Sequence, residues 1–476
     1  MSGELKLRVG SRKSELALIQ TRHVISCLKQ IYPDIEFDVV TMSTLGDQII
    51  DIPLPKIGEK SLFTKELETA LADGHVDFIV HSLKDLPTIL PVGMAIGAVL
   101  SRENPRDALV LQRDIKKHTL ASLPEGSVIG TSSLRRTAQL AKKYPHLKVE
   151  NIRGNLNTRL KKLDDLGKYH AIILASAGLV RIGWKNRISK MLDAQDFLYA
   201  VGQGAIAVEC RADDEKTLKL LEPLYDLQTA LRVIAERSFL KTLGGGCSAP
   251  VAVISDLKLV KDKEVKLTLK GAVWSLDGTQ EVADEGETVV NVLSSIRCAE
   301  CPYSNGELKV IDIECCVTCP MNNEVNGPSL KKQKLDIPNE ILENDPHDKL
   351  PVPIPIGSDF MGQCPFLEGT IQGVENPHLS LNGDASSIAK LGLKFCPALK
   401  GLNSDKNNVN KVTIIEDDCL FVGLVPHRDA TFDNLMKSKL LGENLALKLK
   451  EKGALQIMAA AQAAVHGKIS NNTAAS

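Results

Sequence analysis

The 476-residue chain lacks an excess of either charge: 58 Lys and Arg stand against 59 Asp and Glu, a formal net charge of −1. No global field draws it to nucleic acid or to an anionic membrane, so affinity for acidic ligands has to come from local clusters of Lys and Arg. It also lacks an apolar run approaching the length of a membrane span, which excludes an ordinary transmembrane helix. Met1 to Lys6 passes straight into a strand-like run without the apolar stretch of a secretory leader, and the expectation is a cytoplasmic protein. Eleven cysteines in such a chain are expected to be mostly reduced thiols, used for metal binding or catalysis rather than disulfides. The 43% hydrophobic and 25% charged residues make an ordinary globular composition, and the length predicts about three domains.

The stretch Leu243-Gly244-Gly245-Gly246-Cys247-Ser248-Ala249-Pro250 is the centre of the reading. Three glycines let a thiol approach a bulky partner without a Cβ clash, and a thiolate can form a thioether or thioester. A small buried hydrophobe on a plain turn is the competing reading of the same residues.

Upstream, strands alternate with helices and deliver polar residues at the strand ends. Leu5 to Val9 reads as a strand, Gly10-Ser11 as turn and cap, and Arg12-Lys13 as the opening of a helix. Two cations in a first helical turn oppose the macrodipole unless an anion binds there. Phe37 to Met42 is a second strand, followed by a long loop carrying Lys56 and Lys60 before Ser61 to Thr64 opens a helix. Val76 to His81, short and apolar as in a parallel sheet, hands over Ser82-Leu83-Lys84-Asp85-Leu86-Pro87 at its C-terminal end, where open α/β sheets bind ligands.

From about Arg102 the layout recurs. Strand Ser127 to Gly130 leads to Thr131, Ser132 and Ser133 and a helix opening Leu134-Arg135-Arg136. Arg153 follows the strand Val149 to Ile152, Arg159 lies on the next helix, and Arg181 comes just past the apolar strand Ala171 to Ala175. Two basic helix starts with hydroxyl caps predict a cleft for carboxylates or phosphates. Val201 to Ala205 with Gln203, then Ile206 to Glu209, reads as a return into the first lobe, so that two crossovers form a hinge. A helix from Thr229 to Lys241 runs into the Cys247 loop, and Pro250 to Ile254, Val265 to Leu269 and Gly271 to Trp274 read as strands of a small third domain.

Between Cys298 and Lys411 lie 11 of the 22 prolines and 7 of the 11 cysteines, a poor recipe for a packed core. The expectation is an irregular insertion. Within it Cys298, Cys301, Cys316 and Cys319 have the paired spacing of a four-thiolate zinc site. Cys419 to Leu424 then reads as a strand, and Phe432 to His466 as one or two helices broken at Gly453.

The stretches Val9 to Ser14, Gly58 to Glu66, Val80 to Pro87, Gly130 to Arg136, Ile152 to Asn155 and Val201 to Ala205, in that order, resemble the porphobilinogen deaminase (hydroxymethylbilane synthase) family of haem biosynthesis. The resemblance covers about Leu5 to Asp277 and Phe421 to Ala464 and does not include the insertion. It implies an α/β fold: two lobes like those of periplasmic binding proteins with a double crossover, plus a smaller α+β third domain carrying the cofactor cysteine. The division expected is residues 1–101 with 202–224, residues 102–201, and residues 225–476 with the loop at 243–250 and the insertion at about 298–411.

It further implies a transferase that joins four porphobilinogen molecules into hydroxymethylbilane on a dipyrromethane primer, held by a thioether at Cys247. Each porphobilinogen loses ammonia to give an azafulvene, which the free α-carbon of the chain attacks. Asp85 and Lys84 would be catalytic, Asp85 pairing with pyrrole N–H groups and moving protons. Lys84, Asp85, Ser82, Thr131, Ser132, Ser133, Arg135, Arg136, Arg159 and Gln203 would hold the cofactor. Arg12, Lys13, Ser14, Lys60, Phe63, Arg153 and Arg181 would hold the substrate. The implied enzyme is a cytoplasmic monomer with a small-molecule substrate and neither nucleic acid nor membrane as partner. The alternative reading is a carboxylate-binding solute or effector module of the periplasmic-binding-protein type, which needs no nucleophile on a glycine loop.

Overall fold

The computed structural model describes residues 6–49, 62–115, 117–244, 249–261, 264–291, 420–427 and 430–467. Lys56, Lys60, Cys247 and the four cysteines of the zinc spacing lie outside the described residues.

The first lobe is built on β1 (Lys6–Arg12), β2 (Glu36–Met42), β3 (Phe78–Ser82) and β4 (Met94–Val99), with β10 (Ile206–Arg211) returning to it, in the order β2-β1-β3-β10-β4. β1 runs parallel to β2 and β3, while β10 is antiparallel to both of its neighbours, with Ile206 opposite Ser82. Phe78, Ile79, Val80 and His81 are all buried, as a strand covered on both faces requires.

The second lobe repeats the plan with β5 (Asp107–Leu111), β6 (Val128–Gly130), β7 (Lys148–Glu150), β8 (Ala171–Ala175) and β9 (Lys190–Met191), in the order β7-β6-β8-β5-β9. Alternate residues of β5 and β8 feed two apolar clusters. Leu109, Leu111 and Ile173 go to one face; Ala108, Val110, Ile172 and Leu174 go to the other.

The third unit is an antiparallel meander, β11 (Val251–Lys261), β12 (Glu264–Trp274) and β13 (Glu281–Asn291), with the Leu227–Leu243 and Phe432–Glu451 helices packed on it. A further helix, Ala454–Gly467, follows Gly453.

Several local expectations are corrected. The first helix starts at Glu15, capped by the Ser14 hydroxyl, which accepts from the Ala17 N–H at 3.4 Å; Arg12 ends β1 and Lys13 precedes the cap. The two short strands expected around Lys270 are one strand, β12. β13 was not anticipated. Residues 420–424 form a turn with isolated bridges, Phe421 to Leu424 and Ile96 to Leu424, rather than a strand.

Candidate active site

The parallel strands β1, β3, β6, β7 and β8 all end toward the segments singled out above, so chain geometry brings those segments to the C-terminal edges of the two sheets. β3 runs directly into a short 3-10 turn, Leu83–Asp85, closed by the Leu86 N–H donating to the Leu83 carbonyl at 3.1 Å. Lys84 and Asp85 therefore stand at the mouth of the first sheet, recessed but partly accessible. Burial lowers the Lys84 pKa, Asp85 opposes that shift, and the positive charges of Arg136 and Arg159 reinforce it.

Across from this turn, Ser133 caps the Leu134–Lys143 helix and accepts from the Arg136 N–H at 3.5 Å. Arg135 and Arg136 occupy the first helical turn, as the sequence predicts, but both are buried and point into the lobe. Their common target is Asp107, which no motif had revealed. Arg135 Nη1 donates to Asp107 Oδ2 and Arg136 Nη2 to Asp107 Oδ1, each at 2.7 Å. β5 is antiparallel to β8 with Asp107 opposite Ala175, so the start of one strand meets the C-terminal end of the other. Burial pushes the Asp107 carboxyl up, but Arg135 and Arg136 outweigh it and hold it well below the usual carboxylate range.

Gln203 completes this knot. Its side-chain amide donates to the Pro105 carbonyl at 2.6 Å and to Asp107 Oδ1 at 2.9 Å. Two buried polar atoms beside Asp107, Arg136 Nε and Gln203 Oε1, have no hydrogen-bond partner among the described residues. Such atoms are rare in native proteins and point to a ligand or water.

Arg159 reaches back along its helix to donate to the Gly154 carbonyl at 2.7 Å. Burial, then the neighbouring charges of Arg136 and Arg153, bring its pKa down to about 10, with Asp85 as the opposing acid. Lys84, Arg136, Arg153 and Arg159 thus share one electrostatic neighbourhood with Asp85 and Asp107. Cations outnumber acids there, and such an excess favours a bound polyanion.

Other predicted residues sit differently. Arg181 is buried against Glu103 (Nε to Oε1, 2.7 Å) and donates from Nη2 to the Gly204 carbonyl at 2.7 Å, at the crossovers. Arg12 pairs with Asp47, Nε to Oδ2 at 3.1 Å, and lies 4.5 Å over the centroid of Phe63. One face of that ring is therefore already stacked on a cation. Lys13 is exposed. Ser82 hydrogen-bonds the Gln20 amide at 2.9 Å, Thr131 Oγ1 accepts from the Ser133 N–H at 3.2 Å, and the Ser132 hydroxyl donates to the Ile152 carbonyl.

The two crossovers touch. Gly204 has φ of +88°, and a Cβ there would fall 2.5 Å from the Glu103 carbonyl oxygen, so only glycine lets the two segments lie side by side. Arg102, on one crossover, donates to the Gln203 carbonyl on the other at 2.9 Å and forms a paired contact with Glu236 of the Leu227–Leu243 helix. Glu236 also accepts from the Gly202 N–H at 2.9 Å. Of the cysteines described, Cys27 and Cys210 are free and buried, and burial pushes both thiols up, Cys27 to about 11. Neither has the environment of a reactive thiol.

The family profile "Porphobilinogen deaminase, dipyromethane cofactor binding domain" matches residues 7–219, and "Porphobilinogen deaminase, C-terminal domain" matches residues 230–303. A porphobilinogen deaminase of Synechococcus elongatus is 54% identical over 279 residues, 59% of this chain and 85% of that one. One from Nostoc is 47% identical over 313 residues, 65% and 95% of the two chains. One from the yeast Yarrowia lipolytica is 50% identical over 283 residues, 58% and 82%. Among solved structures, the BenM effector binding domain with benzoate covers 47% of this chain and 91% of its own at 16% identity and a TM-score of 0.30. That likeness is too slight to carry an argument; the two lobes rest on the strand orders above. With both profiles matched in sequence and relatives this similar over most of their own length, the chain belongs to the porphobilinogen deaminase family.

Proposed function

We propose that the Lys84–Asp85 turn is the catalytic centre of the family's reaction, the deaminating polymerisation of four porphobilinogen molecules into hydroxymethylbilane on a dipyrromethane cofactor. The observation that carries this reading is the placement of Asp85, a partly accessible acid in the electrostatic neighbourhood of Lys84 and Arg159, both partly buried, and of the buried Arg136.

Each pyrrole unit bears an acetate and a propionate, so the ligand is a polyanion. Arg136 Nε, Lys84, Arg153 and Arg159 are the cations suited to its carboxylates, and Gln203 Oε1 is suited to a pyrrole N–H. The donor set therefore fits dipyrromethane, with Cys247 as the thioether position. When bound, the cofactor supplies the free pyrrole α-carbon at which the chain is extended. Asp85 would accept pyrrole N–H groups and stabilise the positive charge that develops as ammonia leaves. Lys84 offsets the charge of the growing carboxylate set. Asp107 holds Arg135 and Arg136 in place, so Arg135 supports the site from behind while Arg136 keeps one donor for the ligand.

Thr131, Ser132, Ser133 and Ser82 add neutral hydrogen bonds, and Arg12, Lys13, Ser14, Lys60, Phe63 and Arg181 complete the substrate side of the proposal. We divide the chain into residues 1–101 with 202–224, residues 102–201 and residues 225–476, and place the enzyme in the cytoplasm as a monomer. Among the described residues no helix is long and apolar enough to cross a membrane.

Intact-protein mass spectrometry under denaturing conditions, with peptide mapping, tests the reading. The expected result is an added mass of two linked porphobilinogen units on the Cys247 peptide, lost in Cys247→Ala. An unmodified Cys247 in protein that also fails to acquire the adduct from porphobilinogen would leave the binding-module alternative standing.

A further inference from the structure

Arg237 is among the largest fully buried side chains, 1% exposed, on the helix that leads to the Cys247 loop. Its guanidinium collects three main-chain carbonyls from two distant segments. Nη1 donates to Leu86 at 3.0 Å and Nη2 to Pro87 at 2.6 Å, while Nε donates to Val422 at 3.1 Å. Leu86 and Pro87 are the two residues directly after Asp85, and the Leu86 N–H closes the 3-10 turn that carries Lys84 and Asp85.

The third carbonyl is held at a cost in backbone strain. Val422 has φ of +50°, a genuine outlier for a β-branched residue. The next residue, Gly423, has φ of +93°, and a Cβ there would meet Leu90 Cδ1 at 2.9 Å and Arg237 Nη2 at 3.6 Å. The segment is fixed on its other side by the edge strand of the first lobe: the Ile96 N–H donates to the Gly423 carbonyl at 2.8 Å and the Val425 N–H to the Ile96 carbonyl at 3.1 Å. A strained turn persists where its surroundings over-determine it, and here it aims a carbonyl at Arg237.

We infer that Arg237, braced by the Val422–Gly423 turn, is a positioning residue that fixes the Lys84–Asp85 turn against the cations of the second lobe. This rests on the catalytic reading of that turn. A planar fork with five fixed donors can join three carbonyls at once, which an ammonium on a flexible stem cannot reproduce. Displacement of the turn by about 1 Å is enough to lower a rate on the order of a hundredfold without removing any reacting group.

The test uses Arg237→Lys in the full-length, cofactor-loaded enzyme, with folding checked by circular dichroism and loading by intact mass. Steady-state kinetics with porphobilinogen are expected to show kcat lowered at least about tenfold with KM within about twofold of the parent, the pattern of lost transition-state geometry rather than lost binding. A kcat within about twofold of the parent, or a raised KM at unchanged kcat, overturns the inference. Should Arg237→Lys fail to fold, Gly423→Ala decides, because it presses the turn against Leu90 and leaves the guanidinium in place: kcat lowered at least about threefold at unchanged KM supports the inference, and unchanged kcat overturns it. Asp85→Asn, assayed alongside, separates the two ideas. Lost turnover there with normal Arg237→Lys kinetics sinks only the positioning role, whereas retained turnover in Asp85→Asn sinks the catalytic reading and this inference with it.

Discussion

Arg102 and Glu236 meet as a two-pronged ion pair, Nη1 to Oε1 at 2.6 Å and Nη2 to Oε2 at 3.0 Å, with side chains 2% and 0% exposed. Through Glu236 and the Gly202 N–H, the same pair fastens both crossovers to the helix that leads to the cysteine loop. Removing one partner of a buried pair leaves the other charge uncompensated and costs about 3–5 kcal/mol. Glu236→Gln is therefore expected to lower the denaturation midpoint by that equivalent, read in a urea titration. A loss under about 1 kcal/mol would show that the pair contributes little.

Asp107→Asn should be destabilising for the same reason, with a pH signature. The folded carboxyl is held below its unfolded value of about 3.9. Its pairs with Arg135 and Arg136 thus contribute fully above about pH 4 and are lost as pH falls through the folded value. The stability gap between parent and Asp107→Asn should be widest near neutrality and narrow in acid. A gap that stays constant down to pH 2 would contradict it.

Lys84 is shifted in the same direction, but for a lysine that shift costs stability at neutral pH. Folding lowers its pKa from the ordinary 10.5 through burial, with Arg136 and Arg159 adding to the effect against Asp85. The unfolded chain binds that proton more tightly, so stability rises with pH between the folded value and 10.5. If charged Lys84 is needed for turnover, the alkaline limb of kcat/KM falls below that of an unperturbed lysine. Lys84→Arg, which stays protonated to pH 12 or above, should move this limb upward; an unmoved limb assigns it to another group.

Asp85→Asn should keep the covalent cofactor, seen as an unchanged intact mass, while lowering turnover by about 10²–10⁴-fold, the range of general acid–base contributions. Cofactor loss in this variant would make Asp85 an assembly residue instead.

Deleting about residues 300–410 should spare turnover, provided the chain still re-enters before Leu420. The condition follows from the carbonyl of Val422, which meets Arg237 beneath the Asp85 turn. Turnover lost with folding and cofactor loading intact would give the deleted segment a part in catalysis.

Much of this site was legible because strand ends announce it. Apolar β3 and β8 and the hydroxyl run after β6 carry their polar cargo in adjacent residues, within reach of local reading. The direction of Arg135 and Arg136 was not, since their acid, Asp107, lies at |i−j| of 28 and 29 and leads an otherwise apolar strand. Nor was β13 legible: Glu281, Glu285 and Glu287 line one open face and Asp284 places a further acid on the other, so the apolar alternation is weak. Gly271 misled in another way. It reads as a break between strands, but the Phe239 ring packs where its Cβ would be, so this glycine marks close approach inside a continuous β12. The Arg237 turn escaped because an apolar run such as Leu420 to Leu424 has the composition of a strand, and the buried guanidinium that bonds its Val422 carbonyl lies at |i−j| of 185.

The return of β10 to the first sheet also sets an order of events on the ribosome. Every strand of the second sheet lies between Asp107 and Met191, whereas β3 and β4 are joined only by residues 206–211. During synthesis the middle lobe can therefore close while the N-terminal lobe still waits for its fifth strand. A translation pause shortly before Ile206 would leave β3 with an open edge and β4 without its strand partner, edges that invite pairing with another chain.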